Sequence, residues 1–496
     1  MTRVGSQPDS DLTCGADRWR GTGVRLTADL LLAASLLLAA CFTGCAVGPN
    51  YVKPTLELPA GWTEQRIDAA NRTAAGSLKD WWTQFHDPLL TALVDQMITG
   101  NLQLKIARQR IIEARAQRIV AGAAEYPQID AGALAEIANS STTLGWPPGN
   151  GEYNVYSFGF NASWELDVFG ATKRAEQAAD ADVDASIENR RAVLVVLLSE
   201  LATQYTTLRA TQQRTVIAQR SLDASRRVLD LVSTEYARGL ITSLAMAQAR
   251  AQMETAQSAL PVLHAQASRL THAIAVLTGC FPGELESRLL APGTVIPTPP
   301  ALPLSLPSEV VANRPDIRRA ERRYAAATAR VGVAVSALYP HFSIPLMLMP
   351  TTSSLHDVFS AASLVWAAGV SSTVSVYHGG RPTARVDEAK AVAEIARINY
   401  QQTVLTAFRE VEDALVGLQT EAERRQLLDA AAIDSRAAFE QAQQLFTAGL
   451  TDALNVLTTE RALYASEDQV ALSDLARVQQ VIILYQALGG GWSVAL

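Results

Sequence analysis

The chain has 496 residues, 48% of them hydrophobic, 18% charged and 6% aromatic, with a formal net charge of −7. That length suits two or three ordinary domains, and the Ala- and Leu-rich, aromatic-poor composition favours long helices. A mild negative charge, with no Lys/Arg cluster interleaved with aromatics, argues against nucleic acid as a partner, because phosphate binding needs a basic face.

The chain opens with a targeting pattern. Arg18, Arg20 and Arg25 precede an apolar run from Leu30 to Ala40. A bilayer-spanning helix needs roughly twenty apolar residues, so this shorter run suits a signal-peptide core over 1–44. No later segment is apolar for long enough to be a membrane helix, so membrane residence would require a barrel or a lipid. The cysteines are Cys14, Cys41, Cys45 and Cys280. Small residues ahead of Cys41 and Cys45 resemble a bacterial lipoprotein processing site, and the local pattern favours Cys41, with Leu38 at −3 and Ala40 at −1. Cleavage at Cys45 would leave Cys280 alone, with an apolar filler as its simplest role.

Residues 45–86 read as an extended tether, with Pro49, Pro54 and Pro59. Helical periodicity begins at Asp87-Pro88, an N-cap followed by proline at the first helical position. It breaks at Gly100-Asn101, resumes to about Glu125, and stops at Tyr126-Pro127. Alternation then predicts strands over 128–138 and 153–168, separated by a Ser/Thr/Pro/Gly/Asn loop. A helix free of proline follows from Ala171 to about Ala237, on the order of 100 Å at 1.5 Å per residue. Its return runs from about Ser243 to Leu277, and a proline-rich link spans 282–307.

The plan then repeats about 210 positions later, too long a period for a solenoid unit. Gly170 corresponds to Gly380, Gly239 to Gly449, and Tyr126-Pro127 to Tyr339-Pro340. Strands are predicted over 342–349 and 364–376, a long helix over 381–448, its return over 452–488, and a flexible tail from Gly489. The halves are taken as 87–310 and 311–488, with 489–496 as tail. Helices this long must pack on one another as coiled coils, and Leu194, Leu197, Leu198, Leu201, Tyr205 and Leu208 have the required spacing. His86, His264, His272, His341, His356 and His378 are scattered without metal-ligand spacing. No catalytic constellation or phosphate loop emerges, and no enzyme activity or cofactor is expected.

Five segments together resemble the outer-membrane efflux proteins, the trimeric channel-tunnels of Gram-negative bacteria, in the lipid-anchored branch that serves RND and related pumps. They are Cys45-Ala46-Val47-Gly48-Pro49-Asn50-Tyr51, Trp81 to Leu89, Trp164 to Gly170, Leu306 to Glu309 with Asn313-Arg314-Pro315-Asp316-Ile317, and Phe408 to Leu415. The mature-start segment moves the expected acylation to Cys45, with Cys41 as alternative. The resemblance implies an α+β membrane channel. Four strands from each of three chains would close a twelve-stranded barrel, and the antiparallel coiled-coil helices would form a periplasmic α-barrel.

Further implications concern partners and site residues. Arg238, Gly239 and Leu240, with Ala448, Gly449 and Leu450, would form the periplasmic tip that docks an adaptor protein. The family's entrance is narrowed by carboxylates six or nine residues after the second tip glycine; here those positions hold Asn455 and Thr458, while Leu454 matches a position that forms an apolar ring. An apolar gate is therefore expected, without the usual cation preference. The implied function is a passive, homotrimeric exit duct of a tripartite drug or solute efflux system, in the outer membrane and anchored by lipid. A type I protein-secretion duct is the alternative, and the lipoprotein start and mid-chain motif argue against it.

Overall fold

The structure, a computed structural model, describes residues 46–63, 78–143, 151–291, 296–297 and 307–492. In chain order its elements are α1 (Pro88–Gly100), α2 (Leu102–Ala123), β1 (Gln128–Ser140), β2 (Gly151–Leu166), α3 (Ala171–Ala237), α4 (Ser243–Thr278) and the short α5 (Glu286–Leu289). Then come α6 (Pro307–Asn313), α7 (Pro315–Ser336), β3 (His341–Thr352), β4 (Leu364–Ala368), β5 (Ser371–Thr373), α8 (Arg381–Thr447) and α9 (Ala453–Ala487). The repeat is visible in element lengths: α3 and α8 each run 67 residues, and α2 and α7 each run 22.

Local chemistry sets the helix starts. The Asp87 carboxylate accepts from the Leu89 and Leu90 amides at 2.9 and 3.1 Å, with Pro88 in the first turn. Asn101 does the same for α2, accepting from Gln103 and Leu104 at 2.8 and 3.1 Å. Such caps satisfy amides that the helix itself leaves unpaired.

The described residues form two compact units, each drawing on both repeats. The first holds the sheet and comprises the described part of Met1–Asn50 with Ile119–Ala178 and Thr328–Lys390. The second comprises the described residues of Tyr51–Arg118, Ala179–Ala327 and Ala391–Leu496. In it all six residues of the α3 stripe are buried, beside Trp81, Leu90, Leu93, Met97 and Ile482. Trp81 stacks on Tyr485 at 5.2 Å, and the Tyr205 hydroxyl donates to Asp87 at 2.5 Å.

The sheet is antiparallel in the order β1-β2-β3-β4, with β5 also on β3. The strand expected over 364–376 is interrupted. Both pieces keep one register on β3, from Leu346↔Ala368 to Ser343↔Ser371, so Pro345 faces the gap at Gly369. Proline has no N–H to give the ladder; its carbonyl still accepts from the Gly369 amide at 3.2 Å.

The expected flexible tail at Gly489–Gly491 is corrected. Gly489 takes φ +74° and closes α9, and the Gly491 amide donates to the Leu78 carbonyl at 2.8 Å. A Cβ on Gly491 would lie 2.5 Å from Leu198 Cδ1. The Trp492 indole donates to the Asn313 carbonyl at 3.1 Å and lies under the Arg191 and Arg318 guanidiniums. The glycines here serve close packing, which composition alone does not distinguish from looseness.

Candidate functional site

The pairing register sorts the strands into two faces. One carries Ile129, Ala131, Ala133, Ala135 and Ile137 of β1 beside Phe160, Phe158 and Tyr156 of β2, then Leu346 and Leu348 of β3 and Trp366 of β4. The other carries Asp130, Gly132, Leu134 and Glu136 beside Asn161, Gly159, Ser157 and Val155, and continues to Ser343, Met347 and Thr351, so it is the more polar of the two. The apolar face is open: Ile137 and Trp366 are each 70% exposed. An apolar face left in the open beside a polar one is what a strand wall between lipid and a watery lumen requires. None of the described helices is long and apolar enough to cross a membrane.

Cys41 and Cys45 lie outside the described residues. The arm that follows them is held firmly in the sheet-bearing unit. The Val47 amide donates to the Phe169 carbonyl at 3.1 Å. Arg174, 5% exposed, donates to the carbonyls of Val47 (3.1 Å) and Gly48 (3.3 Å) and to Asn50 Oδ1 (2.8 Å). A Cβ on Gly48 would sit 2.5 Å from Gly332 Cα, and one on Gly170 would sit 2.6 Å from Ala46 Cα. Sequence reading missed Arg174; its only sequence signal is its place four residues after Gly170.

The two hairpin turns are closed alike. Gly239 and Gly449 take φ +74° and +72°. The Gly239 amide donates to Tyr236 O at 2.9 Å and that of Leu240 to Glu235 O at 3.0 Å. The Gly449 amide donates to Phe446 O at 2.9 Å and that of Leu450 to Leu445 O at 2.8 Å. This paired pattern is a Schellman cap, which places glycine in the left-handed position. Arg238, Leu240, Ala448 and Leu450 are all exposed, and a Cβ on either glycine meets nothing within 4 Å.

Beyond the second turn, Leu454, Asn455 and Thr458 are exposed on one face of α9. Asn455 Nδ2 donates to Thr451 Oγ1 and Thr458 Oγ1 to Leu454 O, both one turn back along the chain. The nearby acids are otherwise engaged. Asp452 caps α9 by accepting from the Asn455 amide at 3.0 Å, and Glu460 is fully buried against Ser225 of α3. Cys280 is half-buried and accepts from Gln96 Nε2 at 3.0 Å. Among the described residues, no group of three or more His, Cys, Asp or Glu could hold a metal ion.

Known proteins share this arrangement. The family model described as "Outer membrane efflux protein" matches residues 93–279 and again 306–490, one match in each repeat. The pyoverdine export outer membrane protein OpmQ of Pseudomonas putida is 32% identical over 469 residues, covering 93% of this chain and 97% of that protein. The cation efflux system protein CusC of Escherichia coli is 28% identical over 460 residues, covering 92% and 97%. Among solved structures, the outer-membrane channel OprN superposes with a TM-score of 0.84 at 33% identity, covering 90% of this chain and all of that one. The long helical hairpins and the amphipathic sheet are thus the α+β fold of outer-membrane channels, and the role is that of an efflux exit duct. The chain belongs to the outer membrane efflux protein family.

Proposed function

We propose that three copies of this chain close a twelve-stranded barrel and form the passive exit duct of a tripartite drug or solute efflux system, with no catalytic step of its own. The observation that carries this reading is a sheet with one apolar face and two free edges, β1 and β4/β5. Such edges are intolerable in lipid, where unpaired amides and carbonyls find no water. Counting β4 and β5 as one interrupted strand, each chain contributes four crossings. In the helical unit, Ile106 of α2 and Ile395, Ile398 and Leu405 of α8 are half or more exposed, which suits burial against a second copy.

In this reading an inner-membrane pump of RND type supplies the energy, and a periplasmic adaptor docks on Arg238–Leu240 and Ala448–Leu450. Gly449→Trp tests it. The turn has open space around it, so expression and trimer formation are expected to survive. The cap, however, is strained by a side chain at φ +72°, and the bulk crowds a docking surface. Drug resistance in a strain lacking its own channel is expected to fall to the empty-vector level. Wild-type resistance from such trimers would refute the docking assignment.

Lipid attachment at Cys45 is supported by the arm beside it: Ala46 and Val47 are fixed against Phe169-Gly170, at the exit from β2. Acylation at Cys41 would interpose four further residues. Cys45→Ser is expected to abolish radioactive palmitate incorporation while the protein still reaches the outer membrane. Continued labelling would move the site to Cys41.

Closure of the entrance is assigned to Leu454, with Asn455 and Thr458 giving little cation binding. Arg461, one turn further on the exposed face, adds positive charge there. An apolar ring closes a pore by excluding water. Leu454→Ser is expected to raise the resting conductance of trimers in planar bilayers several-fold. An unchanged conductance would remove Leu454 from the closure.

A further inference from the structure

Glu460 is the least expected charge-bearing residue in the helical unit. It is fully buried where α9 meets α3, eleven residues beyond the Gly449 turn. Val456, Leu457 and Leu463, within one turn of it on α9, and Val228, one turn from Ser225 on α3, belong to one buried apolar cluster that also takes in Val232, Ala249, Phe439 and Ala442. Ser225 Oγ donates to Oε1 at 2.5 Å, while Oε2 is buried with no hydrogen-bond partner. A carboxylate left half-satisfied in an apolar joint is costly, and the neutral acid much less so.

None of the charged neighbours hydrogen-bonds the second carboxyl oxygen. Glu467, two turns on, binds Arg436 of α8 and Arg220 of α3, the latter at 3.3 Å. Arg461 turns to Gln252 of α4 at 3.1 Å. Arg227 of α3 acts on Glu460 only through space, and Tyr464 lies one turn away and feels both Glu460 and Glu467. Glu440 of α8 faces Arg436.

We infer that Glu460 is a proton-controlled latch on the seam between the two repeats: its neutral carboxyl holds α9 against α3, and ionisation loosens them. Burial pushes the carboxyl up from its ordinary 4.5, against smaller opposing effects from Ser225 and Arg227. The sign follows. A carboxyl raised in the folded state contributes stability that is complete below 4.5 and is lost as pH rises through the raised value. The contribution of Glu460 to the seam is therefore greatest in acid. Each unit of elevation shifts the balance about tenfold per subunit.

The test compares wild type with Glu460→Gln, which keeps the shape and mimics the neutral acid. The purified trimer is melted in detergent between about pH 5 and 8, and channel opening is followed in planar bilayers over the same range. Subtracting the variant isolates this group from Asp316 and Glu321, which are held below their ordinary values and give the opposite slope. The expected result is a wild-type melting temperature that falls relative to the variant as pH rises. Wild-type openings should become more frequent with pH, while E460Q openings stay rare and pH-independent. A variant that keeps the wild-type pH profile overturns the latch, even if it changes overall stability. Ser225→Ala provides a second variant: losing its hydrogen bond removes support from the anion, so the profile moves to higher pH, and an unmoved profile counts against the proposal. The opening arm rests on the exit-duct reading, whereas melting does not. Protein that melts as expected yet passes no current supports the latch and refutes the duct.

Discussion

Gly159→Val is expected to leave essentially no assembled barrel in the outer membrane, a larger loss than Gly132→Val causes. The two glycines face each other across β1 and β2, so they share a face and a position along the sheet. They differ in what lies beside them. A Cβ on Gly159 would sit 2.2 Å from the Leu348 carbonyl oxygen and 2.6 Å from Met349 Cα, while one on Gly132 meets nothing within 4 Å. The atoms at Gly159 are backbone and cannot rotate away. Accommodating a side chain means separating β2 from β3 between Phe160↔Leu348 and Ser157↔Thr351. Overpacking commonly costs about 1–3 kcal/mol, and a backbone collision in a sheet lies at or beyond that limit. The yield of heat-resistant trimer from outer-membrane fractions measures it. Equal yields for the two variants would mean that β2 and β3 are not so closely apposed.

Arg314→Ala is expected to be the most damaging single truncation in the helical unit. Arg314 is 7% exposed. It grips Asp316 with two bonds at 3.0 and 2.6 Å, and from Nη1 it reaches the Ala487 carbonyl at 2.9 Å and Glu410 at 2.7 Å. One side chain thus closes the end of α9 and ties it to the starts of α7 and α8's midsection. Burial is the largest single effect on Asp316 and disfavours its charge, yet the hydrogen bonds and charge of Arg314, the Ile317 amide and the charge of Arg319 together outweigh it and hold the carboxyl below its ordinary 3.8. Its stabilisation is therefore present at neutral pH and is lost as pH falls through that depressed value. Removing one member of a buried pair costs about 3–5 kcal/mol. The lower end fits here, because Glu410 is 40% exposed and contributes little. Chemical denaturation of the detergent-solubilised protein should show the loss, with Arg314→Lys recovering only part because an ammonium cannot make the forked contact. A loss below about 1 kcal/mol would mean that this motif is not a structural clasp.

What was legible in the sequence was local. Asp87-Pro88 announces α1, because cap and proline act within one turn. Gly239 and Gly449 announce the hairpin turns, because a left-handed cap selects glycine. Alternation located the strands, because a two-sided wall forces period two. The remainder depends on partners distant in the chain. The Asn313-Arg314-Pro315-Asp316 motif was visible, but its grip on Ala487 was not. The burial of Glu460 was not legible, since nothing nearby in sequence reveals Ser225 across the seam. Gly489–Gly491 read as slack for the same reason: Leu78 and Leu198 fill the space around them. The break opposite Pro345 requires knowing which residue lies across the ladder.

That break has a consequence for the subunit before it meets its partners. One free border of the sheet, β1, is a continuous row of 13 residues; the other is two pieces of five and three. A long unbroken border can recruit any extended chain, whereas a fractured one accepts only a mate that tolerates the gap at Gly369. The asymmetry makes like-with-like joining unfavourable, since two fractured borders hold each other weakly and two long ones leave the fractured ones stranded. Joining head to tail is the arrangement that consumes every border, so the discontinuity acts as a proofreading feature during oligomer formation.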